Sequence, residues 1–163
     1  MLANFIHWLT NTSVSDYIAN QLWVIPSVQS VHIIVVAIVL ASVGMIVLRF
    51  FGMAGTDESV ATVALRYIPR IWWGLLTLLI TGSILITGEP HRELTNQAFW
   101  FKMFLVACAV IGLFFFQRSV KRNPQAWDRD AGEMRWKAAA AVSMVVFFAI
   151  AIAGRWIAYM VTV

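Results

Sequence analysis

The chain carries three histidines, His7, His32 and His91, and His32 alone stands inside a long apolar run. Ionisable side chains are costly to bury in a hydrocarbon layer and are functional candidates by default. An imidazole in such a place is a ligand type for haem iron or copper. Four more polar groups recur at corresponding places: His91 and Arg92 just beyond the end of a second apolar run, Lys102 near the start of a third and Arg155 near the end of a fourth. Cations at that level suit haem propionates, a quinone head group or an anionic substrate, because unpaired carboxylates would be costly there. The chemistry expected is therefore cofactor binding, with His32 and His91 as candidate iron ligands. Arg92, Lys102 and Arg155 are candidate partners of the cofactor's acidic edge. No Cys-x-x-Cys-His occurs, so covalent c-type haem is excluded and the expected cofactor is haem b, with quinone as a second class.

The elements that must hold these residues follow from hydropathy. Of 163 residues, 61% are apolar and 12% charged, against roughly 45–50% and about 25% in soluble domains. Mean hydropathy is +0.79. That excludes a soluble enzyme, a disordered chain and a disulfide-stapled secreted domain; the single Cys108 has no internal partner. Four apolar segments reach the length of about 18 residues that a bilayer crossing needs. With helical extensions they are expected at 28–50, 69–88, 97–118 and 136–160, with Pro69 just ahead of the second. Continuous rather than alternating hydrophobicity means helices, not barrel strands. The fold expected is all-α, an integral membrane four-helix bundle forming a single domain over 1–163.

At about 1.5 Å per helical residue, His32 lies about 25 Å from Arg49, Lys102 about 24 Å from Arg118 and Arg155 about 27 Å from Lys137. The five candidates thus converge on one layer near one end, and the opposite half of every span reads as bland. The ordinary alternatives are snorkelling of Lys102 and Arg155 to headgroups, a solvated loop His91, and a His32 satisfied by a neighbouring Ser or Thr. Small residues line one face of the second span, Gly74, Thr77, Thr81 and Gly88, permitting close packing or room for a flat macrocycle.

Nine of the twelve Lys and Arg lie in two connectors: Arg49, Arg66, Arg70, Arg118, Lys121, Arg122, Arg129, Arg135 and Lys137. The positive-inside rule puts those connectors in the cytoplasm and both termini on the outer side, periplasmic in a bacterial inner membrane. The net charge of +4 is then a consequence of topology, and nucleic acid is not expected as a partner. Residues 1–27 hold no Lys or Arg and so lack a signal peptide's basic start. They read as an amphipathic segment on the outer membrane surface, with Phe5, Trp8, Tyr17 and Trp23 at headgroup level.

Two stretches carry a family resemblance. WVIPSVQSVHIIVVAIVLASVGMIVLRFFG holds Trp23-x-x-Pro26, then His32, then Arg49 and Gly52; GEPHRELTNQAFWFKM holds Asn96-x-x-Phe99-x-x-Lys102; GRWIAY ends the fourth span. These resemble a family of small four-span bacterial inner-membrane proteins known only as a domain of unknown function, and the likeness covers nearly the whole chain. More distantly the layout is similar to the membrane-bound protoporphyrinogen oxidase and the copper-resistance membrane protein. In the former a first-span His and a third-span Lys serve the haem or porphyrin site, and His32 and Lys102 are the matching positions. The oxidase's first-span aromatic and Arg motif is absent here, so the likeness implies haem or porphyrin binding rather than the oxidase reaction.

The function expected is a b-type-haem-binding protein moving electrons between a membrane quinol pool and an outward-facing redox partner. The partners are the lipid bilayer and that redox protein, and a homo-oligomer is compatible with the sequence. A non-catalytic anchor subunit of a larger membrane complex is the alternative from another class. A copper or solute handler, using Met1, His7, His32, His91, Met103 and Met160, is a third. No tight Met/His motif supports it, and no span is broken at mid-membrane as transporter spans are.

Overall fold

The computed structural model describes residues 1–130 and 133–157, and every regular element among them is helical. In chain order these are α1 (Leu2–Thr10), α2 (Ser13–Asn20), α3 (Val24–Phe50), α4 (Val60–Gly88), α5 (Pro90–Leu94), α6 (Gln97–Arg122), α7 (Pro124–Asp130) and α8 (Met134–Ile157). Helices α3, α4, α6 and α8 are long and apolar enough to cross a membrane. Each packs on its neighbours in the sequence α3, α4, α6, α8, and α8 returns to α3, so the four close into a ring. The chain is an all-α, multi-pass bundle.

Local chemistry sets where each helix starts and stops. Pro26 sits in the first turn of α3, where its missing N–H costs nothing. At the other end Met53 N–H donates to the Leu48 carbonyl at 2.9 Å and Gly52 N–H to that of Arg49 at 3.1 Å. Gly52 has φ +69°, a left-handed conformation that favours glycine, and the two bonds close a Schellman cap. Arg49 Nε donates to the Glu58 carbonyl at 2.7 Å, pinning the loop back on the helix it follows. The Ser59 hydroxyl caps α4 by accepting from Thr62 N–H at 3.1 Å, and Asp128 Oδ1, reaching across from α7, accepts from Ala61 N–H at 3.1 Å. Two of the four orphan donors at that helix start are thereby satisfied.

Helix α4 therefore begins at Val60 rather than beside Pro69, which stands inside it. The expected long basic connector is shorter for that reason: Arg66 and Arg70 ride on the first turns of α4. The turns before the proline are held by burial, with Val60, Ala61, Ala64 and Ile68 all at 3% exposure or less. The fourth span's expected end near 160, Met160 and the last two residues of GRWIAY lie outside the described residues.

Packing is uneven along the ring. The main buried cluster gathers Val39, Val43, Ile46 and Phe50 of α3 with Ala64, Ile68 and Ile71 of α4, Leu113 and Val120 of α6, Ala140 of α8 and Trp127 of α7. It fills the half of the bundle next to the basic connectors. That half is therefore the packed core rather than featureless span. Gly74 makes the α3–α4 contact possible: a Cβ there would stand 2.4 Å from Val39 Cγ2. At the far end a second, smaller cluster joins Ile6 of α1, Leu94 of α5 and Phe99 of α6.

The N-terminal amphipathic segment forms two helices, α1 and α2, docked on this far end. The Ser15 hydroxyl, buried, donates to the Thr87 carbonyl at 2.7 Å, satisfying a carbonyl in the last turn of α4. Ile18 and Ile25 press on Gly88, where a Cβ would meet them at 2.8 and 2.4 Å. Phe5, Trp8, Tyr17 and Trp23 remain exposed on the outside of the cap.

Candidate functional site

Between the two apolar clusters lies the polar layer. His32, half-buried on α3, faces α4, where its Nδ1 is 2.7 Å from Thr81 Oγ1. Thr81 is buried, and its hydroxyl also lies 2.8 Å from the Thr77 carbonyl one turn back. A carbonyl only accepts, so both contacts form together when the hydroxyl gives its proton to Thr77 and its oxygen accepts from the ring. In that assignment His32 Nδ1 carries the proton, and in the neutral imidazole Nε2 has a bare lone pair. Gly82 lies alongside, and a Cβ there would be 3.8 Å from His32 Cε1.

Lys102 reaches the same layer from α6. Its side chain, half-buried, lies across Gly154 of α8, with Nζ 3.4 Å and Cε 3.6 Å from where a Cβ on that glycine would stand. The aliphatic stem of Lys102 thus packs along a glycine-opened face instead of running free into lipid. His32, Lys102 and Gly154 come from three spans.

The other three candidates sit differently. His91 and Arg92 are exposed on the short helix α5. Arg92 is held by carboxylates, 2.5 Å from Glu89 and 3.6 Å from Glu93. Arg155 follows Gly154 in sequence and is exposed. His7, on the far-end cap, is exposed with Asn11 Nδ2 at 3.2 Å from its Nδ1. Among the described residues no group of three or more His, Cys, Asp or Glu side chains is gathered as a metal site.

Sequence reasoning passed over Thr81 as the specific partner of His32, although it had placed Thr81 on the small-residue face of α4. It also missed Gly82, although Gly82 follows Thr81 in the second span, and it read Gly154 only as one of the small residues of the fourth span that permit close packing or leave room for a macrocycle. What it could not supply was the register between antiparallel helices.

The model of a family of unknown function, DUF6644, matches residues 5–160. The chain belongs to that family. No curated protein and no solved structure matches it. In this DUF6644 chain the matched region contains α2 to α8 and most of α1, so the cap, the four spans and the His32–Thr81–Lys102 layer all fall within the family's extent.

Proposed function

We propose that this protein binds a b-type haem through His32 and passes single electrons between a membrane quinol pool and a redox partner on the outer side of a bacterial inner membrane. The observation that supports the reading best is the hydrogen bond between His32 Nδ1 and the Thr81 hydroxyl, in which the ring would donate while the hydroxyl serves Thr77. Metal-ligating histidines ordinarily donate their other ring N–H to an acceptor, which fixes the tautomer and aims the free nitrogen. The ordinary alternative, a histidine satisfied by a nearby threonine, accounts for one nitrogen only. A bare metal ion is a poor fit, since the described residues gather no further ligands around His32. A porphyrin brings four nitrogens of its own and needs one from the protein. The Lys102 ammonium, half-buried against Gly154, would offset a propionate. The haem supplies a one-electron couple; the chain's part is to ligate it, set its orientation and neutralise its acids. Arg155 remains a candidate for the second propionate, and His91 for the opposite axial position.

The test is an absorption spectrum of protein purified in mild detergent from haem-replete cells, oxidised and then reduced with dithionite. A Soret band in the wild type that collapses in His32→Ala is the expected result. His91→Ala should shift the spin state while keeping the pigment if His91 is the second ligand, and should leave the spectrum unchanged if that position is open. Colourless wild-type protein overturns the haem reading and favours the non-catalytic anchor subunit.

A further inference from the structure

The N-terminal helices stand over the polar layer. Ile25 lies seven residues before His32 on α3, and Gly88 seven residues after Thr81 on α4. Seven helical residues are close to two turns, so each pair shares one helix face, about 10 Å apart. Ile18 of α2 closes on that upper level: a Cβ on Gly88 would stand 2.8 Å from Ile18 Cγ2 and 2.4 Å from Ile25 Cδ1. On α6, Phe99 lies one turn toward the cap from Lys102. It is buried with Leu94 of α5 and Ile6 of α1, and Ile86 of α4 packs alongside. In the opposite direction Val35 of α3 and Leu78 of α4, each one turn beyond His32 and Thr81, pack on the main core. The layer is therefore floored by that core and roofed by α1, α2 and α5.

The N-terminal part of this roof is lightly held. Within residues 1–20 only Ile6 and Ser15 are buried. Ser15 makes one hydrogen bond to the bundle, to the Thr87 carbonyl at 2.7 Å. The joint to α3 has an extended Gln21, at φ −93° and ψ 101°, followed by Leu22 and Trp23, both exposed. A segment with so few buried contacts opens at a lower free energy than the bundle beneath it. We infer that α1 and α2 form a hinged lid over the polar layer. Closed, the lid shuts out water and small ions from the aqueous phase at that end. Opened about residues 21–23, with the Ser15–Thr87 bond as its latch, it admits them. Its closure matters to the chemistry below, because electrostatic interactions and hydrogen bonds strengthen where water is excluded. Access to His32 is controlled in this way whatever the ring binds, haem included.

The experiment uses the full chain in mild detergent, with Cys108→Ala removing the native thiol. It follows the reaction of single introduced cysteines with a charged, water-soluble methanethiosulfonate. Thr81→Cys puts a thiol in the layer at a buried position. Gly82→Cys, where a Cβ makes only ordinary contact with His32, takes its place if Thr81→Cys alters the helical dichroism. Tyr17→Cys is the open reference on the outside of the cap, and Ser42→Cys, buried on α3 beside the main core, reports loosening of the whole bundle. With the lid intact, the layer cysteine should react at least about tenfold more slowly than Tyr17→Cys. Adding Ser15→Ala should raise its rate about fivefold, and adding Ile6→Ala should raise it too, while Ser42→Cys stays unchanged. Acceleration in either lid variant, confined to the layer cysteine, supports the lid and shows which contact holds it. Unchanged rates in both lid variants, equal acceleration at Ser42→Cys, or a layer cysteine as reactive as Tyr17→Cys with the lid intact overturns it.

Discussion

His32 shows how one hydrogen bond converts a costly residue into an oriented one. Replacing its acceptor, Thr81→Val, removes the fixed tautomer while nearly preserving shape. Side-chain hydrogen bonds between membrane helices contribute about 0.6 kcal/mol on average, so the melting temperature in detergent should fall only slightly. The visible spectrum should change far more, by a shifted or broadened Soret band; an unchanged spectrum would separate Thr81 from the ligand. Glycines give a matched pair at the same scale. Gly74→Ala places a methyl 2.4 Å from Val39 Cγ2, and overpacking of this kind costs about 1–3 kcal/mol. Gly112→Ala meets nothing within 4 Å and should leave stability unchanged or slightly raised. Thermal melts of the two variants side by side would check the α3–α4 contact; equal melts would refute it.

Among the elements, α2 and α7 do work that their length conceals. The first is fastened to α4 by Ser15 and by Ile18 on Gly88; the second reaches back to cap α4 through Asp128 and to fill the core with Trp127. Ser15→Ala removes a net hydrogen-bond contribution of about 1 kcal/mol, so amide exchange across Ser13–Asn20 should speed up about fivefold while α3 and α4 stay protected. Exchange rates unchanged within α2 would mean the apolar contacts alone hold the cap. Asp128→Ala should cost about 1 kcal/mol as a lost cap, read as a lower melting temperature of the whole bundle, because α4 touches α2, α3, α5, α6 and α7.

For the molecule as a whole, the asymmetry is the governing fact. One end holds nine of twelve Lys and Arg and the main core with Trp127; the other holds the helical cap and the His32–Lys102 layer. The positive-inside rule predicts that the first end faces the cytoplasm. Reporter fusions after Thr56 and Gln125 should read cytoplasmic, and one after Val163 external. A cytoplasmic C-terminus would invert the bundle and move the polar layer to the inner side, away from any outward-facing redox partner.

Four apolar helices of crossing length and the helical class were legible in composition and hydropathy, because bilayer thickness acts on sequence directly; of the five polar candidates, His32 and Lys102 are half-buried in the spans while His91, Arg92 and Arg155 are exposed. The placement of α4's start was not legible, since Pro69 marks a boundary by local rules and only burial of Val60, Ala64 and Ile68 against other helices overrides it. Nor was the core visible at the basic end: Phe50, Phe116, Trp127 and Trp136 are far apart in sequence and gain their meaning when α7 folds back across the bundle. The same holds at the polar layer. That His32 and Lys102 share a depth follows from residue counting; that Thr81 is the ring's hydrogen-bond partner and Gly154 makes room for the lysine depends on how antiparallel helices slide and rotate against each other. Close packing sets that register, through contacts such as Gly74 with Val39 and Gly88 with Ile25, and no linear pattern encodes it.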